Sequence, residues 1–594
     1  MGEKQNHHHN NSAIQSWHPV LLRLFDKRFK SKEELEQFLS WNLSDLPKLD
    51  NLKDLEKASR RVIQAMEQGE RIGIYGDYDV DGTTACALLY HFFTSKEIGL
   101  VCELFQPDRF GEGYGLHCSS IDKAIDKGVH LLITVDCGIT NHDAAKYALT
   151  RGLDLIITDH HTDAEEAKGS VGALPAAIAV VNPCRRDEDG NSPLRVLAGV
   201  GVAFVLCLRI KKDLEELYGK KLPSIYPLLP WVAIGQLCDL VRLTPLNLRL
   251  IRHGLKQLKD GSVFVGLRPF FSDSEEFACG PLVSGDKIVF DVGPLLNSPG
   301  RLSHASEALK MLVTQSDAEA MYCYQHLLAS NKKRKDLQQQ VFEEARKQAL
   351  NDLEREKKLG IHVVYAPHWH QGVLGIVANK LVETFAIPAI VLTNSEESGV
   401  IKGSVRSAGG LNIYSILKSI SHHFTKFGGH PAAAGLSMPK ANFQKFYADL
   451  KDIFSKIPPE EFTNTLDYYD VDVDFNEINL ALLTQMQYLG PWGIGNERPI
   501  FKMASVKLQH FSHLRGGHVR WEFTRLGEKR SPYTNKLQGI SFSYLGKWNT
   551  TSPEELLAKQ NDDHGVIVYF TLKKNTWNRQ EFVQLLVDRI VLPH

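Results

Sequence analysis

The chain has 594 residues, 43% of them hydrophobic, with 69 basic against 70 acidic side chains. That length suits roughly three or four domains. Balanced charge excludes a globally cationic nucleic-acid binder and confines any such contact to local patches, and no run of ~18 apolar residues marks a membrane span. Nine cysteines without a CxxC pair, several in apolar runs, fit a reducing cytoplasm rather than a disulfide framework. The N-terminus has no apolar signal core. Its His7-His8-His9 run sits in a polar tail that reads as disordered.

Residues 1–50 read as a leader into the first domain, with a short amphipathic helix around Trp17, Leu21, Leu24 and Phe25. Residues 51–70 place Leu55, Ala58, Val62 and Met66 on one helical stripe. From 72 to about 239 the pattern alternates strand and helix. The strands are expected at 72–75, 100–104, 131–135, 155–158 and 177–181, each a near-continuous apolar run of the kind found in parallel sheets covered on both faces. The first strand breaks into GDYDVDG (76–82), where Asp77, Asp79 and Asp81 alternate. Three crowded carboxylates are unfavourable unless a cation sits among them, although an isolated acidic turn has the same composition. Two further strands end alike: 131–135 runs into Asp136, and 155–158 into Asp159-His160-His161. C-terminal strand ends lie along one edge of a parallel sheet, so these side chains can converge. Asp239 closes an apolar helix-like run where a charge is unexpected. It fits either a ligand or a helix terminus paired with Arg242. Carboxylates and imidazoles without thiolates suit Mn²⁺ or Mg²⁺ rather than structural zinc. A set of this size can hold two ions about 4 Å apart, an arrangement that serves phosphodiester hydrolysis.

Residues 305–355 lack internal Gly or Pro and favour one long helix carrying the basic run 331–335. A second α/β unit follows over 361–440, with strands at 361–365 and 389–392 and a helix at 372–384. Ser404 and Arg406 lie in a compact basic stretch. Gly428-Gly429-His430 lets backbone approach a ligand before an expected small-residue helix at 432–435. From 466 onward short strands with turn signals suit a small β-barrel. Trp521, Phe523, Phe542, Trp548, Tyr569 and Trp577 are candidate base-stacking residues, although alternating spacing makes most of them core. Arg515, Arg520, Lys547, Lys573, Lys574 and Arg579 are candidate phosphate contacts.

The stretches GDYDVDG, TVDCGI (134–139), TDHHT (158–162) and the later Asp239 resemble the successive motifs of the DHH phosphoesterase superfamily, and the form of the first resembles the RecJ branch. The likeness continues through 107–116, 293–302, 368–381, 402–407, 427–438 and 489–501. Many long motifs in one order are far more specific than any short pattern. The resemblance implies an α/β DHH parallel-sheet domain, a DHH-associated α/β domain joined by a long helix, and an oligonucleotide-binding barrel. The expected division is a leader (1–50), a catalytic domain (51–304), the connecting helix (305–355), the associated domain (356–458) and the barrel (459–594). The chain stops directly after the barrel, so the further C-terminal domain of some relatives is not expected.

By the same resemblance, Asp79, Asp81, Asp136, His160 and Asp239 match metal ligands for Mn²⁺ or Mg²⁺, Asp77 is a sixth, and two ions are expected. His161 lies beside the scissile phosphate, to orient it, stabilise its transition state or act as a ligand. Arg109, Arg301, Ser404, Arg406, Gly429 and His430 match residues that hold a 5′-terminal phosphate or the adjoining nucleotides. Leu295 stands where a basic residue is expected and Pro299 where a small one is. The implied function is a 5′→3′ exonuclease specific for single-stranded DNA, serving recombination and repair. It is expected to be cytoplasmic, off the membrane and monomeric, with a single-strand-binding protein and a helicase as partners. Two alternatives stand beside it: a phosphodiesterase for short oligonucleotides or cyclic dinucleotides, and an inactive replication scaffold.

Overall fold

Five apolar runs form the parallel sheet that carries the acidic strand ends. The computed structural model describes residues 17–162, 174–261, 264–271, 278–279, 282–302, 305–355, 360–458, 461, 468–527, 535–542, 544, 551–560, 564–577 and 580–593. The His7-His8-His9 run, Lys547, Trp548 and Arg579 lie outside them. The chain divides into two units: residues 29–332 with 487–498, and residues up to 28 with 333–486 and 499 onward. No helix among the described residues is long and apolar enough to cross a membrane.

In the first unit the strands are β1 (Ile72–Gly76), β2 (Cys102–Phe105), β3 (Leu131–Val135), β4 (Asp154–Thr158) and β5 (Ala179–Val181). Their order is β2-β1-β3-β4-β5, all parallel, with Ile72 opposite Leu131 and Val135 opposite Thr158. β1 and β3 are buried at every position, as their unbroken hydrophobicity requires. One face packs Tyr75, Leu132, Ile157, Ile121 and Ala145 together. Helix α1 (Val80–Phe93) follows β1 and is buried all round except at Tyr90, so it is a central helix without a polar face. Helices α2 (Gly199–Tyr218) and α3 (Leu229–Cys238) are also largely buried. Segment 487–498 belongs here: the buried Arg252 donates to the carbonyls of Phe38, Leu489 and Gly490 at 2.7–3.1 Å.

The expected single helix over 305–355 is two, Ser306–Val313 and Asp317–Arg355. Thr314 is extended, its hydroxyl accepts from the Ser316 amide, and Ser316 accepts from the Glu319 amide. Ser316 and Glu319 have the spacing of a capping box, which restarts a helix even without Gly or Pro.

The second unit holds a mixed sheet of β6 (His362–Tyr365), β7 (Ala389–Asn394), β8 (Val400–Arg406), β9 (Lys426–His430) and β10 (Ala433–Pro439), in the order β9-β10-β8-β7-β6. Helix α4 (Leu374–Phe385) packs on it. The helix expected at 432–435 is therefore strand β10. Ala434, Leu436 and Met438 face the core, and pairing with β8 and β9 overrides the helix preference of alanine.

The barrel comprises β11 (Val471–Asp472), β12 (Phe501–Leu514), β13 (His518–Arg525), β14 (Leu537–Ser541), β15 (Val566–Trp577) and β16 (Gln580–Val591). β12 pairs with both β13 and β15 and so closes the sheet. β11, the first of the short strands expected from 466 onward, spans only two residues, because Phe475–Glu477 turns into a 3₁₀ helix with an Asp474/Glu477 capping box. Helix Pro19–Arg28, expected as a leader into the first domain, packs in this unit instead: Arg28 Nε lies 2.8 Å from Asp470 Oδ1, and Arg23 pairs with Glu477.

Candidate metal centre and nucleic-acid contacts

Asp79 caps α1, with Oδ1 accepting from the Gly82 amide. This fixes the GDYDVDG turn as the strand becomes a helix. Asp81, in the first turn of α1, is fully buried. Its two oxygens accept from the amides of Gly199 (2.6 Å) and Val200 (2.9 Å) at the start of α2. A helix N-terminus favours an adjacent anion. Asp136 follows β3 with a left-handed backbone, φ +60°. His160 and His161 follow β4, and Asp239 is the C-terminal cap of α3.

The side chains meet at His160. Its Nε2 lies 3.1 Å from Asp136 Oδ1, 3.7 Å from Asp239 Oδ2 and 3.8 Å from Asp81 Oδ2. Asp77, Asp79 and Asp136 form one triplet whose candidate ligand atoms lie within 4.8 Å of one another, and Asp81, His160 and Asp239 form another. The six expected ligands fall in these two triplets, and a third triplet of Asp136, His160 and His161 joins them. Asp77 Oδ1 is buried without a hydrogen-bond partner, an orphan acceptor that a cation would satisfy.

Electrostatics point the same way. Burial, then repulsion from Asp79, raises Asp77 well above the ordinary carboxylate range. Burial and four neighbouring carboxylates do the same to Asp136. Burial and Asp79 push Asp81 up to about 7, and burial with Asp81 and Asp79 pushes Asp239 up to about 8. Burial and His161 lower His160 to about 4, which leaves it a neutral donor of a lone pair. Carboxylates that resist ionisation together, beside a neutral imidazole, are a donor set fitted to divalent metal.

Asp159 is part of the same strand end but does not join these triplets. Its Oδ1 accepts from the amides of His160 and His161 and lies 2.8 Å from His161 Nδ1, while Oδ2 accepts from the Ile139 amide. Burial opposes charge on His161, but the Asp159 hydrogen bond and charge prevail and raise it to about 9.

The candidate DNA contacts divide between the units. In the first, the Arg109 guanidinium stands 4.9 Å from the centre of the Tyr78 ring. Burial pushes the Tyr78 hydroxyl up to about 12, against the charges of Arg109 and Arg301. Leu295 is buried, so the residue found in place of a base is a packing residue. In the second unit Arg406 donates to Ser404 Oγ at 3.2 Å. The start of α4 approaches both: a Cβ added at Gly375 would meet Arg406 Nη2 at 2.9 Å and Ser404 Oγ at 3.1 Å. Gly429 and His430 end β9 and are exposed. In the barrel Trp521, Phe523 and Tyr569 are buried, whereas Phe542 is 58% exposed and packs edge-on to His518. Arg515, Arg520 and Lys573 are exposed, and Lys574 pairs with Glu581.

Sequence reasoning missed Gly199, Val200 and Tyr114. Paired glycines were the only local signal: Gly199 and Gly201 at the start of α2, and Gly113 and Gly115 around Tyr114. A Cβ on Gly199 would come within 2.6 Å of Asp136 Cβ, so only glycine admits the amide to Asp81.

Comparison with known proteins agrees with this arrangement. Residues 71–234 match the DHH family, N-terminal domain, residues 358–456 the DHHA1 domain, and residues 469–589 the RecJ OB domain. The chain is 33% identical over 587 residues to the single-stranded-DNA-specific exonuclease RecJ of Dickeya dadantii, covering 96% of each protein. It is similar to a crystal structure of exonuclease RecJ bound to manganese, at 30% identity and a TM-score of 0.58, over 71% of this chain and 100% of that one. The fold also matches RecJ from Thermus thermophilus in complex with Mn²⁺, with a TM-score of 0.72 and 24% identity, over 98% of this chain and 77% of that one. With the DHH, DHHA1 and OB modules in order and a relative matched end to end, the chain belongs to the RecJ family of DHH phosphoesterases.

Proposed function

We propose that the chain is a single-strand-specific DNA exonuclease that hydrolyses phosphodiester bonds from the 5′ end in recombination and repair. The observation that carries this reading is the convergence of Asp77, Asp79, Asp136, Asp81, His160 and Asp239 in adjoining triplets of candidate ligands, in a chain whose relatives are named single-stranded-DNA-specific exonucleases. The triplets would hold two Mn²⁺ or Mg²⁺ ions. When bound, the ions offset charge on the phosphate and lower the pKa of the attacking water.

The chain's own residues do the rest. Asp81 is oriented by two backbone amides, and neutral His160 presents Nε2 to the carboxylates. The His161 imidazolium, held through Nδ1 by Asp159, supplies positive charge where charge develops on the phosphate. Arg109, Arg301, Ser404, Arg406, Gly429 and His430 hold the 5′-terminal phosphate or the adjoining nucleotides. Capture of the free end sets the direction of digestion. The working domains are 51–304, the connecting 305–355, 356–458 and 459–594. The protein acts as a cytoplasmic monomer, fed single strands by a single-strand-binding protein and a helicase.

The test uses labelled single strands blocked at either end, with Mn²⁺, the wild-type protein and the Asp136→Ala and His160→Ala variants. Loss of label from unblocked 5′ ends by the wild type alone is expected. Digestion from the 3′ end, activity only on dinucleotides, or no wild-type activity would overturn the reading.

A further inference from the structure

Tyr114 lies between β2 and β3, flanked by Gly113 and Gly115, both with positive φ. The segment is held from behind: Tyr75 Oη donates to the Gly115 carbonyl at 2.8 Å, and the Leu116 amide donates to Asn141 Oδ1. The residue is 42% exposed, yet its hydroxyl is engaged. Oη lies 3.2 Å from the Asp136 carbonyl oxygen and 3.0 Å from His161 Nδ1, and the two rings meet edge to face at 5.4 Å. Nδ1 also lies 2.8 Å from Asp159 Oδ1. One assignment satisfies every group. The Nδ1 proton is shared between Asp159 and the phenol oxygen, and the phenol proton goes to the Asp136 carbonyl.

That carbonyl belongs to a residue in an uncommon backbone conformation, left-handed without being glycine. The turn is pinned on its other side by Thr134, whose hydroxyl donates to the Cys137 carbonyl at 2.8 Å. Asp136 Oδ1 in turn lies 3.1 Å from His160. The geometry points to Tyr114 as a positioning residue: its hydroxyl ties the Asp136 backbone to the His161 ring, setting the Asp136 carboxylate and His161 relative to one another. Partners that orient ligand-bearing groups typically affect metal affinity or turnover 10- to 100-fold.

The kinetic arm of the test rests on the exonuclease reading, and the metal arm does not. In the full chain, Tyr114→Phe keeps the ring and removes only the hydroxyl. Free Mn²⁺ is measured by its EPR signal during titration, and kcat and KM are measured on a labelled 5′-phosphorylated single strand. Expected are Mn²⁺ binding weaker and kcat lower, each by about tenfold, with KM for DNA within about twofold of wild type. Tyr114→Leu is expected to weaken Mn²⁺ binding to the same degree. Wild-type Mn²⁺ binding and kcat in either variant, or an effect confined to KM, would overturn the proposal. If the wild type digests no single strand, the exonuclease reading fails, and the EPR titration still decides the role of Tyr114.

Discussion

Asp159 and His161 form the best-supported pair at the strand end: Asp159 Oδ1 lies 2.8 Å from His161 Nδ1 and accepts two backbone amides, while Oδ2 accepts a third. The carboxylate is buried, and these donors with the charge of His161 hold its pKa below the ordinary range despite burial. Asp159→Asn cannot serve all four donors, because one of its positions becomes a donor itself. Expected are a loss of about 3 kcal/mol in stability, as for a buried charged hydrogen bond, and a His161 pKa that falls from about 9 toward its ordinary value. Denaturant unfolding and histidine NMR titration of the metal-free protein check the two effects. A His161 that still titrates near 9 in this variant would refute the assignment.

The crowded carboxylates make metal-free stability depend on pH. Asp81 and Asp239 have folded pKa values of about 7 and about 8, raised from the ordinary carboxylate value. Their contribution is complete at low pH and is lost as pH rises through 7 to 8, because the folded state must give up protons that the unfolded chain has already released. His160, lowered to about 4, works the other way, but its contribution is complete above the ordinary histidine pKa. In the window from pH 6.5 to 8.5 the carboxylates and His161, raised to about 9, lose stability in the same direction, so the window reads the charged strand end as a whole. With chelator present, the melting temperature of the first unit should fall by roughly 4 °C across that window. Millimolar Mn²⁺ should reverse the trend, since ligands must be deprotonated to bind. A flat profile with chelator would argue against the crowding.

Gly199 is where α2 comes closest to the acidic cluster. A methyl group there would meet Asp136 Cβ at 2.6 Å, Asp136 Cα at 2.9 Å and Asp81 Oδ2 at 3.0 Å, so α2 must retreat. Gly199→Ala is expected to cost about 2 kcal/mol from overpacking and to lengthen both amide contacts to Asp81. Calorimetric Mn²⁺ titration should show weaker binding than wild type. Unchanged binding with unchanged stability would mean that the approach is looser than these distances.

Much of the first unit could be read locally because each chemical residue follows its own strand. Asp77, Asp79 and Asp81 leave β1, Asp136 leaves β3, and His160 leaves β4, so parallel order alone brings them to one edge. The features that escaped depend on contacts distant in sequence. Ala433 and Ala434 favour a helix in isolation and become strand where β8 and β9 supply partners. Helix Pro19–Arg28 reads as a leader until Arg28 finds Asp470, more than four hundred residues away. The indole of Trp521 donates to the Ser541 hydroxyl in the barrel core, which alternating spacing cannot distinguish from a base-stacking face. Asp159 looked like one more converging acid, and only the amide donors around it reveal an anchor.

Arg406 offers the sharpest test of directionality. Its guanidinium is partly buried, with burial lowering its pKa, and it bonds the Ser404 hydroxyl beside the start of α4. A helix N-terminus with an arginine and a hydroxyl suits a phosphate better than a neutral end. Gly375 keeps that approach open, since a Cβ there would come 2.9 Å from Arg406 Nη2. Wild type should therefore prefer strands with a 5′-phosphate over those with a 5′-hydroxyl. Arg406→Ala should raise KM for the phosphorylated strand by about tenfold or more while kcat changes less, which narrows the preference. Gly375→Ala should shift KM in the same direction by crowding the guanidinium. Steady-state kinetics on the two strands measures all three proteins, and an unchanged KM in Arg406→Ala would place end capture elsewhere.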